Sequence, residues 1–312
     1  MTTLLVTGGA GFIGSHLCDR LLAEGHRVVA IDDLSSGHLS NIAEARGYGR
    51  AFTFYNLDVR AEGLGDLIRR HRPEAILHLA ALRRPDARLE PLVEARVGLM
   101  GLLAVLEGAV KAGVRKVVFA SSAAAYGEVR KLPIKETALV GARPPSPGAI
   151  SKRVAEDYLR FYRGSRGLDF TSLVLGSVYG PRQVPTEDSG VVAVFAGKMV
   201  AGLRPGIFGE GNQSRDFLFI DDAVHALALA IERGSDKTIN VGTGVETSVN
   251  ALYRMLADIT GFKGEPLYGA GQPGDVGRVC LDNELAEREL AWKPWTHLED
   301  GLRETVAYLR GP

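Results

Sequence analysis

Cysteine is scarce in this chain: Cys18 and Cys280 stand far apart and lack metal-ligand spacing, so no metal site is expected. Cys18 falls inside a helical pattern, where a small buried thiol is the ordinary reading. Net charge is also missing. Lys and Arg total 37, Asp and Glu total 37, and no basic run or stripe appears, which excludes nucleic acid as an expected partner. No apolar run is long enough to span a bilayer, so no membrane association is expected. The first strand begins almost at once and leaves no room for a signal peptide; a reducing, cytoplasmic setting is expected. Internal repeats and low-complexity segments are absent.

What is present is ample apolar material, 46% of 312 residues, enough for one large domain or two modest ones. The most informative stretch is Thr7-Gly8-Gly9-Ala10-Gly11-Phe12-Ile13-Gly14-Ser15. Leu4-Leu5-Val6 before it reads as a buried parallel strand. Ile13, Leu17, Leu21 and Leu22 after it fall at helical spacing. Glycines 8, 11 and 14 permit a tight turn, a close backbone approach to a pyrophosphate, and close packing of helix on strand. The helix N-terminus, from Phe12 and Ile13, offers free N–H groups and a positive dipole end. Arg27-Val28-Val29-Ala30-Ile31 reads as the next strand, and Asp32 ends it, 18 positions past Gly14. A carboxylate there accepts hydrogen bonds from both ribose hydroxyls and repels a 2′-phosphate, which favours NAD over NADP.

Strand patterns continue at 52–56, 75–79, 116–120 and 170–175, with helical patterns at 91–112 and 151–162 between the later ones. The alternation predicts an α/β fold: a doubly wound parallel sheet of the Rossmann type, with ligands at the carboxyl ends of its strands. Past Gly180-Pro181 the segments shorten and become richer in Gly and Pro. They suit a smaller, interleaved C-terminal substrate lobe, although 221–232 reads as a helix and 237–241 as a strand that returns to the main sheet. The expected division is an NAD-binding domain at 1–175 with return segments near 216–243, and a lobe from 176–215 and 244–312.

The ordered motifs resemble the extended short-chain dehydrogenase/reductase superfamily, in particular the nucleotide-sugar epimerases and dehydratases, with the UDP-hexose 4-epimerase type nearest. The resemblance rests on Gly8-x-x-Gly11-x-x-Gly14, Asp32-Asp33-Leu34-Ser35-Ser36-Gly37, Asp58-Val59, His78-Leu79-Ala80-Ala81 and Ser121-Ser122. It continues through Val178-Tyr179-Gly180-Pro181-Arg182-Gln183, Ser214-Arg215-Asp216-Phe217, Asn240-Val241-Gly242-Thr243-Gly244 and Pro273-Gly274-Asp275-Val276. It implies that NAD is held by the three glycines, Phe12, Ile13, Asp32, Asp33, Ser36, Asp58, Val59, Leu79, Ala80, Ala81, Ser121 and Lys152. It further implies transient oxidation of a sugar to a ketosugar, with Ser122 bonding the sugar oxygen and Lys152 holding the nicotinamide ribose. Ser177, Phe208 and Arg215 fall at substrate-binding positions for a nucleotide sugar, taken as a UDP-hexose, and Arg83 falls near the cofactor diphosphate. A homodimer through the 91–112 helix is expected by the same analogy.

One family residue is missing. The pattern Ser-Pro-Tyr-x-x-Ser-Lys reads Ser146-Pro147-Gly148-Ala149-Ile150-Ser151-Lys152, so Gly148 stands where the tyrosine base belongs. Loss of a positioned general base costs a factor of about 10² to 10⁴. Further departures are Gly98 and Ser177 in place of asparagines and Gln272 in place of an arginine. Tyr126 is read as a packing residue and His78 as a structural imidazole. Two alternatives to epimerisation stay open: dehydration or decarboxylation of a nucleotide sugar, and a non-catalytic NAD-binding protein.

Overall fold

A computed structural model describes residues 1–82, 90–186, 189–271 and 276–311. In its first half strands and helices alternate: β1 (Thr3–Thr7), α1 (Phe12–Ala23), β2 (Arg27–Asp32), the single turn α2 (Ala43–Arg46), β3 (Phe52–Asn56), α3 (Leu64–His71) and β4 (Ala75–His78). Then come α4 (Pro91–Glu94), α5 (Gly101–Ala112), β5 (Lys116–Ser122), α6 (Pro147–Arg166) and β6 (Asp169–Leu175). The second half adds short strands β7 (Ser177–Tyr179), β8 (Gly206–Phe208), β9 (Ser214–Arg215) and β10 (Phe217–Phe219), with α7 (Val191–Val200) and α8 (Ile220–Leu229). It closes with β11 (Lys237–Val241), β12 (Thr247–Ser248), α9 (Val249–Thr260), β13 (Leu267–Gly269), α10 (Glu284–Leu290) and α11 (Leu298–Arg310).

Seven strands form one sheet in the order β11-β6-β5-β4-β1-β2-β3, every pair parallel. The chain winds outward from β1 through β2 to β3. It then crosses back to β4 on the other side of β1 and winds the other way. Adjacent strands that feed helices in opposite directions leave a crevice at their carboxyl ends, and here it opens between β1 and β4.

Both faces of the sheet are covered, which is why β1 is a continuous apolar run. Leu5 joins Ile68, Leu102, Leu106 and Leu159 from α3, α5 and α6 on one side. Leu4 and Val6 join Leu17 and Leu21 of α1, with Leu227 of α8, on the other. That second layer runs on without a break into Phe195, Ile207, Phe217, Tyr253 and Leu302, so the later segments share an apolar cluster with the sheet. The minor pairs β7–β10, β8–β13 and β9–β12 lie outside the main sheet. β11 is its edge strand on β6.

The expected single helix over 91–112 proves to have three parts. Between α4 and α5 the backbone of Ala95–Met100 widens into a π-helix. Gly98 and Gly101 weaken the α preference there. Such widened turns concentrate at functional sites. The 151–162 helix starts a turn earlier than expected: Ser146 caps α6, its Oγ accepting from the Ala149 N–H at 3.3 Å, and Pro147 takes the first helical position.

Candidate cofactor and active site

The β1–α1 turn is built on two close approaches. Gly8 has φ of +71°, and a Cβ on it would stand 2.9 Å from the Ala80 backbone nitrogen. A Cβ on Gly14 would stand 2.0 Å from the Gly8 carbonyl oxygen. Only hydrogen fits at both, because β4 and the first turn of α1 crowd the same loop. The first N–H groups of α1 have no partner within their own helix, and no acidic side chain occupies its first turn. That end of the helix is suited to a pyrophosphate.

Asp32 ends β2 with its side chain largely buried. Its carboxylate accepts from Ala10 N–H at 3.0 Å and Leu34 N–H at 2.8 Å, so it is aimed by the backbone. Burial pushes its pKa above the ordinary value, and these N–H groups oppose the rise. Asp33 is turned to the Ser35 N–H and hydroxyl. Asp58 is gripped by Arg60, whose guanidinium holds the carboxyl below the usual range.

These groups border one cavity of about 610 Å³. Its lining includes Gly8, Gly11, Phe12, Ile13, Gly14, Asp32, Asp33, Ser36, Asp58, Val59, Leu79, Ala80, Ala81, Ser121 and Lys152, every residue singled out for the cofactor except Arg83, which lies outside the described residues. A cradle in which no Cβ fits, a helix N-terminus and a backbone-aimed carboxylate suit a dinucleotide.

At the far end of the cavity Lys152 Nζ donates to the Ala120 carbonyl at 2.6 Å and lies 4.4 Å from the Phe119 ring centroid. Burial lowers its pKa to about 8, against the attraction of the Glu94 and Glu156 carboxylates. Ser122 closes β5, and its Oγ accepts from the Ala124 N–H at 3.3 Å. Gly148 and Lys152 lie four residues apart on α6 and so share a face, which places the glycine beside the lysine. His78 is paired with Thr7 (Nδ1 to Oγ1, 2.7 Å) and packs against Phe119; burial and the Lys152 charge push its pKa down to about 3, so it stays neutral. The Tyr126 hydroxyl is buried and donates to Asn240 Oδ1 at 2.5 Å, and burial drives its pKa upward. Both fit packing roles.

Ser122, Gly148, Ser177, Phe208 and Arg215 lie outside the cavity lining. Ser177 opens β7, its N–H donating to the Asp216 carbonyl at 2.7 Å. Phe208 ends β8 half exposed, and Arg215 Nη1 donates to the Ser214 carbonyl at 2.7 Å. Arg83, Gln272 and the Pro273-Gly274-Asp275 part of the last motif lie outside the described residues.

The cavity also draws in residues that sequence reasoning passed over. Arg60 and His38 come from loops after strands, and Val93 and Val97 from the helix over the site. Arg182, within a quoted motif, lines it too while its guanidinium pairs with Asp19 at 2.6 Å. Arg182 and Arg60 stood in or beside recognised motifs; Val93 and Val97 carried no signal beyond apolar spacing.

A parallel sheet, a glycine turn at its switch point and a carboxylate ending the second strand define a dinucleotide-binding protein. The profile described as "NAD dependent epimerase/dehydratase family" matches residues 4–242. A UDP-glucose 4-epimerase of Mycolicibacterium smegmatis is 41% identical over 309 residues, 98% of each chain. The structure of a UDP-glucose 4-epimerase from Thermotoga maritima, with UDP-glucose, is 41% identical with a TM-score of 0.94 and covers 99% of this chain and 98% of its own. A UDP-glucose 4-epimerase of Thermus thermophilus, in complex with NAD, gives 36% identity and a TM-score of 0.90 over 99% of each chain. The chain belongs to the NAD-dependent epimerase/dehydratase family. It is an enzyme of that family, and its cofactor is NAD.

Proposed function

We propose that the protein interconverts the C4 epimers of a UDP-hexose through transient oxidation to a ketosugar. The observation that carries this reading is full-length similarity to UDP-glucose 4-epimerases combined with an intact cofactor cavity. NAD, when bound, supplies the oxidant, accepting a hydride from the sugar and returning it to the opposite face. Asp32 grips the adenosine ribose through its carboxylate, and the α1 N-terminus holds the pyrophosphate. Lys152 holds the nicotinamide ribose and lends its charge to a neighbouring base. Ser122 hydrogen-bonds the sugar oxygen. Residues 1–175, with returns near 216–243, form the NAD domain in this reading. The lobe from 176–215 and 244–312 takes the nucleotide sugar, with Ser177 at the sugar diphosphate, Arg215 on the nucleotide's phosphates and Phe208 near its base. Two copies pair through the helices at 91–112.

Incubation with UDP-glucose or UDP-galactose, followed by proton NMR, is expected to yield the other epimer. No epimer from any common UDP-hexose, with no reduction of bound NAD, would remove the reading. The glycine at 148 favours a second reading, an NAD-binding protein without turnover. Transient NADH absorbance with one substrate excludes that alternative.

A further inference from the structure

Glycine replaces a side chain at two departures from the family pattern, 98 and 148, and the same carboxylate lies against both. A Cβ on Gly98 would stand 2.3 Å from Glu94 Oε1, so a side chain there would displace the carboxylate from this position. A Cβ on Gly148 would stand 3.7 Å from Glu94 Cδ and 3.9 Å from each of its carboxylate oxygens. The two glycines therefore form a slot, and the carboxylate of Glu94 fills space at the root of the missing tyrosine. Glu94 is the last residue of α4, where the backbone starts to widen, and is 7% exposed. Its neighbours Val93 and Val97 line the cofactor cavity beside Lys152.

We propose that Glu94 replaces the tyrosinate as the group that takes and returns the proton of the sugar hydroxyl. This rests on the epimerase reading. In the oxidation the sugar O–H bond breaks and its proton passes to a Glu94 oxygen. The freed electron pair forms the ketone as the C–H pair leaves as hydride to NAD. The return step runs in reverse: the carbonyl carbon regains hydride and its oxygen takes the proton back from Glu94. Atoms and electrons balance with NAD as the only redox partner.

The surroundings suit this work. Burial raises the carboxyl pKa, while a hydrogen bond from Ser151 and the Lys152 charge oppose the rise. Among the described residues, the charged groups nearby are Lys152 and, beyond it, Glu156, which is held by the Ser172 and Thr238 hydroxyls; His78 is neutral. A carboxyl raised toward neutrality is a better match to proton transfer at physiological pH. Activity should rise as Glu94 loses its proton, above the ordinary carboxylate range, and fall near pH 8 as Lys152 loses its own.

The test uses the full-length protein with NAD, comparing wild type, E94Q and E94A. Loss of the base should lower kcat by about 10²- to 10⁴-fold in E94Q, with little change in KM, NAD content or thermal unfolding. Formate should restore part of the E94A rate, and the acid limb of the pH profile should vanish in E94Q. A second readout needs no turnover: difference infrared spectra should show the Glu94 carboxyl titrating above the ordinary range, with its band shifting when UDP-glucose binds. An active wild type with E94Q within threefold of it, and an unresponsive carboxyl, overturns the role of Glu94. A wild type that turns over no sugar while the carboxyl band responds to UDP-glucose removes the epimerase reading and the proton transfer with it, and leaves Glu94 as a substrate contact only. A wild type without turnover and a silent band overturns both.

Discussion

The glycine turn that lines the cavity and the start of α6, outside that lining, were built under different constraints. At the β1–α1 turn, residue type follows from backbone crowding: the Gly8 and Gly14 contacts leave room for hydrogen alone. In the proposed reading, phosphate and ribose recognition there uses backbone N–H groups, a helix terminus and one aimed carboxylate, so few substitutions would preserve it. At the start of α6 the same fold carries Gly148, and a carboxylate from a different helix fills the space. Proton transfer requires one titratable group at one point and is indifferent to which element supplies it. Binding geometry spread over a backbone is hard to replace. A single proton-transfer group can be relocated.

The sharpest test of the rigid end is Gly14→Val, which should abolish NAD retention, because a side chain there collides with the Gly8 carbonyl. A variant that purifies with full NAD content would break the contrast. Lys152→Met should lower turnover by about 10² to 10⁴ and also remove the alkaline fall near pH 8, read from rate profiles. Next in size is Asp32→Asn. Losing hydrogen bonds to a charged acceptor costs about 1.5 to 3 kcal/mol, so the NAD Kd by calorimetry should rise by about 10- to 150-fold. Because burial has raised the Asp32 pKa, wild-type NAD affinity should weaken as pH falls through that value, whereas D32N should stay flat. The smallest effect belongs to Tyr126→Phe. It deletes the hydrogen bond to Asn240 and should lower stability by about 0.5 to 1.5 kcal/mol in urea unfolding, with turnover unchanged. A large loss of turnover would move Tyr126 into the chemistry.

Much of the fold was legible because its signals are local. The β1 apolar run, the glycine spacing and Asp32 at the end of β2 lie within 32 residues and specify strand, turn, helix and strand. Most residues expected at the cofactor were legible for the same reason, since they sit at or soon after the carboxyl end of a strand; Lys152, on α6, was legible only from its register behind Ser146-Pro147. The widening at Ala95–Met100 was not, because an apolar pattern of helical period does not distinguish α from π turns. Glu94 carried no signal at all. A lone glutamate at the start of an apolar helix reads as a solvated charge.

From residue order alone came the doubly wound sheet, the NAD cradle and the gap at position 148, all of which depend on neighbours in sequence. Tertiary structure alone decided what stands in that gap. Glu94 and Gly148 are 54 positions apart, and only the packing of α4 against α6 brings the carboxylate of one to the empty face of the other.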